Sequence, residues 1–573
     1  MRNLKRALSL ALASVMLLGM MVVGSSAKGI DDFTDKAEIV NQDAVAVTSA
    51  IGLFDGYEDG SFGPENVVTR AEMAVIICTM LYGAGVNVNQ FAETSVFTDV
   101  PAWAQGYVNL CSSLGIVAGV GDGKFDPNAT VTTAQAVLML CRALGYFQSA
   151  ADFGSDWMLA ATAKGTALGL YGDLKLTANA GLTRDNVAEL VFNALTKAVP
   201  VQYNELLGVY YNENKGILYS LTYYYTDTLG YKNFDLVYKT NENTDYGRPG
   251  TTWGIGSYRM DGNPSGEGNK EGVLNEDGSL IPERVKMTSD DEIITVADTP
   301  DFTYTANTKE NVIYKAVGKS VVDDYTWNVY VDGDEQADPA IPDNDKDTDY
   351  AYTAKGATTE IYVDDVNDTV TVVMINYYMA EVTKVKDGEV TVRVLSDKAK
   401  TNPIDERTIT ADGFAEDDYV VITVDVNDDD DSFIASIADP EAVEGTVTRV
   451  SKDSDPEGNQ GSYVKMDDGS KHTYSKYTAS DLDDINEVHP TLDIAYRLYL
   501  DPNGYVIGFK ALEGYYDNYL YVQDADVSLS TITAKVVFTD GTAKTVEIDD
   551  EYVALSSSNT KFDTDNDGKI QGT

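Results

Sequence analysis

Two histidines and three cysteines in 573 residues leave this chain poor in the side chains that carry most enzymatic chemistry. His472 and His489 stand 17 positions apart in β-rich surroundings, the first in the turn Asp467-Asp468-Gly469-Ser470-Lys471-His472. There is no HExxH or GxSxG motif, no cysteine set up with a partner histidine, and no phosphate-cradling glycine loop. Carboxylate chemistry survives this sieve, because a glycosidase needs only two acids; among 92 acidic residues, however, no pair stands out. Basic residues are scarce as well, 42 against those 92, for a formal charge of −50. Such a surface repels nucleic acid and anionic membrane, which excludes both as partners.

Long apolar runs are missing too, with one exception. Arg2, Lys5 and Arg6 precede an apolar stretch over residues 7–23, and Ser25-Ser26-Ala27 places small residues at −3 and −1. This predicts a secretory signal peptide over 1–27 and no membrane span after its cleavage. Its removal leaves 39 basic residues against 92 acidic, a charge of −53. An exterior surface so acidic invites divalent cations or serves to keep the protein soluble. The three cysteines read as small hydrophobes. Cys78 and Cys141 lie eight residues past Arg70 and Thr133, where a third copy of the pattern has Phe192, and Cys111 sits on a core-facing stripe. An odd count argues against a disulfide framework.

What the chain does have is repetition. Thr69-Arg70-Ala71-Glu72 follows the turn Glu58-Asp59-Gly60-Ser61-Phe62-Gly63-Pro64. Sixty-three positions on, Thr132-Thr133-Ala134-Gln135 follows Gly121-Asp122-Gly123-Lys124-Phe125-Asp126-Pro127, and a degraded third copy has Thr183-Arg184-Asp185-Asn186. Thr69 with Glu72, and Thr132 with Gln135, have the spacing of capping boxes at helix starts. Arg70 and Arg184 are not explained by capping. A cation in the first turn opposes the helix dipole at a cost of about 0.3–1 kcal/mol, so these arginines either meet an anionic group or stand solvated. Aligning Gly52, Gly115 and Gly169 puts Val40, Trp103 and Trp157 at one shared position. Trp103, Tyr107, Cys111 and Leu114 fall on one helical face, where the tryptophan is either core or a flat platform for a sugar ring.

The triplicate pattern, with Phe97-Thr98-Asp99-Val100, Gly115-Ile116-Val117-Ala118-Gly119 and the Thr-Arg-Ala-Glu helix start, resembles the S-layer homology (SLH) family over residues 28–200. The resemblance implies a three-repeat all-α bundle, with repeats over about 28–85, 93–147 and 150–200. It further implies binding to a pyruvylated secondary cell-wall polysaccharide, and nominates Arg70, Arg184, Trp103 and Trp157 as polymer-binding residues. Thr133 departs from the pattern's arginine, Val40 from its tryptophan and Asn186 from its glutamate, and the third turn is three residues shorter. An arginine fork grips a carboxylate in a way threonine cannot.

Past residue 200, short runs rich in Val, Thr and Tyr alternate with Asp-Gly and Asn-Gly turns, the pattern of antiparallel sheet. The expected units are a β-rich domain over 201–375, then β modules over 376–442, 443–514 and 515–573, the last either whole or cut short, built as small barrels or sandwiches. Residues 380–385 echo 444–450, and Asn503-Gly504 centres a hairpin. Asp563, Asp565 and Asp567 match the opening of an EF-hand-type calcium loop whose twelfth position would fall just past Thr573. The expected function is that of a secreted, non-catalytic cell-wall protein of a bacterium, anchored through its repeats and displaying β modules that self-associate in a surface array. The alternative is an SLH-anchored carbohydrate-active hydrolase with its active unit in 201–375.

Overall fold

The computed structural model describes residues 30–83, 85–92, 96–212, 216–217, 223–260, 273–275, 277–396, 404–427, 429–451, 463–479, 482, 489–512, 520–528, 531–538 and 543–548. The signal-peptide segment and the aspartates Asp563, Asp565 and Asp567 lie outside these residues. The chain divides into two compact units. One holds the residues up to 301 with 324–326 and 362–371; the other holds 302–323, 327–361 and 372 onward. The division cuts across residues 201–375, which the sequence led us to expect as one domain. Among the described residues no helix is long and apolar enough to cross a membrane.

In the first unit, residues 30–200 are built on six helices of nine or more residues: α1 Gln42–Ala50, α2 Arg70–Tyr82, α3 Ala102–Ser113, α4 Thr133–Ala143, α5 Trp157–Ala167 and α6 Arg184–Thr196. The helices that open the three copies of the pattern end at equivalent glycines, Gly52, Gly115 and Gly169, with φ of 74°, 71° and 70°. Only glycine takes this left-handed step without strain. The pairing of helices is cyclic: α2 packs on α3, α4 on α5, and α6 on α1, so the second helix of each copy lies on the first helix of the next.

The backbone closes the same cycle at its centre. Val68 N–H donates to Leu182 O (3.0 Å), Leu182 N–H to Val131 O (3.1 Å), and Val131 N–H to Val68 O (2.9 Å). All three side chains are buried, so this ring of three amides lies within the core. Buried backbone groups must find partners, and here each copy finds them in the other two. A three-stranded sheet of the β region, Leu236–Asn243, Pro249–Ile255 and Glu292–Ala297, joins this core. Its Trp253 meets Phe192 of α6 edge-on at 5.0 Å.

The second unit contains two five-stranded barrels in tandem. In the first, Tyr378–Lys386 pairs with Glu389–Val394 and Tyr419–Val426, while Thr408–Thr410 and Ser432–Ala438 form the outer strands. A parallel bridge, Glu406↔Phe433, brings those outer strands together. Numbered along the barrel, the order is 1-2-3-5-4-1, the topology of the oligonucleotide/oligosaccharide-binding (OB) barrel. The second barrel repeats it with Glu441–Ser451, Tyr463–Met466, Lys471–Thr473, Ala495–Leu500 and Val506–Ala511, closed by the parallel bridge Tyr474↔Val506. Each first strand carries a bulge at the same place, after Val382 and after Val447, and the bulged Thr383 and Thr448 hydroxyls donate to Thr391 O and Lys465 O, both at 3.1 Å. The hairpin Leu520–Ser528/Thr531–Phe538, extended by Ala543–Ile548, has its shift after Val522, in the same register. A bulge adds the local twist a strand needs to turn the corner of a small barrel. The sequence echo between 380–385 and 444–450 is therefore the signature of barrel closure.

Candidate functional site

Arg70 and Arg184 open α2 and α6, and both are buried, with 8% and 7% of their surface exposed. Arg70 donates from Nε to Phe125 O (3.0 Å) and from Nη2 to Ala118 O (3.0 Å), with its guanidinium 4.6 Å from the Phe125 ring centre. Arg184 donates from Nε to Phe62 O (2.9 Å) and from Nη2 to Asp55 O (2.8 Å), facing the rings of Phe54, Tyr57 and Phe62 at 5.4, 5.0 and 4.8 Å. Each arginine thus clamps the Gly-Phe turn of a neighbouring copy: copy one holds the turn of copy two, and copy three holds that of copy one. Backbone carbonyls supply the electron-rich partner that a cation at a helix start requires.

The other face of each turn is held by the Phe-Thr-Asp segment. Asp35 accepts the amides of Phe62 (2.7 Å) and Gly63 (2.8 Å); Asp99 accepts those of Phe125 (2.8 Å) and Asp126 (2.9 Å). Burial raises the Asp99 pKa, and the two amides more than offset this, holding it below the usual carboxylate range. Burial lowers the pKa of both arginines, with Asp126 and Asp99 opposing the shift at Arg70, and with Tyr57, Glu72, Asp55 and Asp35 opposing it at Arg184. Both guanidinium groups remain charged. The phenylalanine peptide is gripped from both sides, its N–H by aspartate and its C=O by arginine.

The odd copy follows from this clamp. Thr133, where the pattern has arginine, is fully buried, and its Oγ1 donates to Ala180 O at 3.2 Å. It faces the turn of copy three, the one that is three residues shorter. The lost arginine and the shortened turn are two halves of one contact. Asp185, in place of the pattern's alanine, holds the segment leading into α1: its carboxylate accepts the amides of Val40 (3.2 Å) and Asn41 (3.1 Å) from copy three.

The shared aromatic position is uneven. Val40 is 79% exposed, Trp157 is 39% exposed, and Trp103 is half-buried against the core. The expected apolar face of α3 is graded likewise, from buried Cys111 through half-buried Tyr107 to exposed Leu114. Trp157, at the first turn of α5, offers the open indole surface of the set. The rings that face the two arginines are phenylalanines and a tyrosine. Sequence reasoning missed Asp35 and Asp185 as positioning residues, although the repeat of Phe33-Thr34-Asp35 at Phe97-Thr98-Asp99 was there to be aligned.

Comparison with known proteins agrees with this geometry. The S-layer homology domain model matches residues 32–74 and 96–137, the first two copies. A "Cell surface protein" of Thermoanaerobacter kivui is 35% identical over 34% of this chain and 25% of its own length. A "Middle cell wall protein" of Brevibacillus brevis is 31% identical over 34% of this chain and 18% of its own. A "Surface layer protein" of Brevibacillus choshinensis is 31% identical over 35% and 17%. An "Endoglucanase" of Bacillus sp. (strain KSM-635) is similar at 24% identity over 26% and 16%. The chain thus matches a quarter or less of the length of each of these relatives. Over residues 32–74 and 96–137, where the turn-and-helix clamp is built, the chain is similar to the S-layer homology domain and to bacterial cell-surface proteins.

Proposed function

We propose that this is a secreted bacterial cell-surface protein, held non-covalently at the wall by its helical region, which binds pyruvylated secondary cell-wall polysaccharide and displays the tandem barrels outward. Residues 150–200 act as the third SLH repeat in this reading, supported by the cyclic helix pairing and by the ring through Val68, Val131 and Leu182. The single observation that carries the proposal is the paired clamp on the Phe62 and Phe125 peptides, which gives the matched repeats a fixed outer surface. Arg70 and Arg184 serve the polymer by shaping that surface, and Trp103 and Trp157 lie against sugar rings, Trp157 foremost because its indole is open. The barrels self-associate in a surface array, and calcium at the acidic surface supports them.

A non-catalytic role is favoured over a hydrolase by the fate of residues 201–375. Those up to 301 group with the helical region, and most of the rest with the barrels, which supports this reading. The OB topology serves nucleic-acid binding elsewhere, but barrels in a chain of net charge −50 are poorly matched to a phosphate backbone. The test uses the full mature chain and purified sacculi before and after chemical removal of the secondary polymer. Binding should be lost with the polymer; equal retention on bare peptidoglycan would refute the proposal.

A further inference from the structure

Two thiols that the repeat alignment keeps apart meet in space. Cys78 on α2 and Cys111 on α3 are both fully buried, with their Sγ atoms 3.4 Å apart. The approach is reciprocal. Cys78 Sγ lies 3.6 Å from Tyr107 O, one turn before Cys111, and Cys111 Sγ lies 3.6 Å from Ala74 O, one turn before Cys78. The two helices therefore touch at this crossing through small side chains. From these positions we infer that Cys78 and Cys111 are a disulfide-forming pair, a covalent staple between the second helix of copy one and the first helix of copy two.

A disulfide bond of about 2.05 Å is within reach of side-chain rotation and a slight closing of the helices. A secreted protein meets an oxidising exterior, where such a bond persists. The step is a thiol–disulfide exchange with a small-molecule or protein disulfide. One cysteine, as thiolate, attacks a sulfur of the oxidant and releases a thiol; the second cysteine then attacks the mixed disulfide and releases another. One S–S bond breaks and one forms, and the two protons and two electrons lost by the cysteines leave on the two released thiols. Once folded, the pair is shielded: hydrogen bonding to Cys78 and burial push the Cys111 thiol well above its ordinary range. Formation therefore belongs to the open chain during folding. Cys141, buried on α4 with its pKa pushed up to about 12 by burial, is the odd thiol that made the count uneven. The sequence alignment set Cys78 beside Cys141; the fold sets it beside Cys111.

The test is alkylation mapping of the full mature chain. One sample is treated folded with excess oxidised glutathione, and a second is refolded from urea in its presence. Both are then denatured without reductant, alkylated with N-ethylmaleimide and digested for mass analysis. The expected result in the refolded sample is a peptide linking Cys78 to Cys111 and a single adduct, on Cys141. Cys78→Ala should abolish that linkage and leave adducts on Cys111 and Cys141. Three adducts in both wild-type samples would overturn the inference, as would linkage through Cys141 or glutathione caps on Cys78 and Cys111 without a cross-link.

Discussion

The helical region and the tandem barrels are both built from copies, yet the copies are held by opposite means. In residues 30–200 polar groups of each copy are satisfied through its neighbours: the Arg70 and Arg184 clamps, the Asp185 contact with Val40 and Asn41, and the ring of three amides all cross between copies. In the barrels, ladder and core are internal. Val382, Val390, Val420 and Ile422 fill one, Val447, Val464, Leu498 and Phe509 fill the other, and a smaller cluster around Met379, Tyr499 and Ile507 joins them. The difference teaches that repetition in sequence does not fix cooperativity. A ring that lends each copy the hydrogen bonds of the next is expected to unfold as a whole, whereas barrels with their own cores are expected to lose structure separately.

The largest effect should come from emptying one barrel. Phe509 is fully buried, and Phe509→Ala should cost about 3–5 kcal/mol. Calorimetry of the full chain should show one transition moving down while the helical transition stays; a common shift of all transitions would break the contrast.

A comparable effect should appear with pH at the barrel junctions, where carboxylates are buried. Asp501 accepts the amides of Asn503 (2.9 Å) and Tyr505 (3.0 Å), and burial pushes its pKa up to about 7. A Cβ on Gly356 would sit 2.4 Å from its Oδ2, so that loop reaches the carboxylate only as glycine. Asp332, which accepts from the Asn376 amide (2.8 Å) and the Tyr378 hydroxyl (2.6 Å), is raised by burial to about 6. Both folded pKa values lie above the ordinary 3.8, so the folded state holds its protons longer than the unfolded chain does. Stability contributed by these protons is intact below pH about 4 and is lost as pH rises toward about 7, by about 4 kcal/mol for a shift of about three pH units at Asp501. Asp501→Asn should flatten that slope in the barrel transition; an unchanged slope would assign it to general acidic repulsion.

Within the helical region the clamp predicts a ranking. Arg184→Ala removes two charge-assisted hydrogen bonds and three ring contacts and should cost about 2–4 kcal/mol. Arg70→Ala, with one ring contact, should cost somewhat less, and Thr133→Ala least, at about 1 kcal/mol. Denaturant melts of the helical transition check the order, and equal costs would refute the clamp. Trp157→Ala should move stability by less than about 0.5 kcal/mol yet weaken binding to sacculi, because its surface is turned outward.

Local features were legible in the sequence. Thr69 and Thr132 close full capping boxes, Thr183 caps without a return bond because Asn186 stands in for glutamate, and the hairpin around Asn503-Gly504 turns with Gly504 at φ 79°. What the sequence did not reveal were contacts across copies. The acceptors of Arg70 and Arg184 lie 55 and 122 positions from the guanidinium groups they bind, and no local rule connects them. Barrel closure through Glu406↔Phe433, and the packing of Trp253 on Phe192 that draws residues beyond 201 into the helical core, were hidden for the same reason. The departures Thr133 and the short third turn were each visible alone, and only the fold shows that they touch.

Hydrogen exchange at the amides of Val68, Val131 and Leu182 in the full mature chain, with and without Arg184→Ala, tests the ring most directly. The account predicts that the three amides share one protection level in the wild type and fall together in the variant, although Arg184 touches only the turn of copy one. Loss of protection confined to residues 55–63, with Val131 unchanged, would show that the copies are held separately and contradict it.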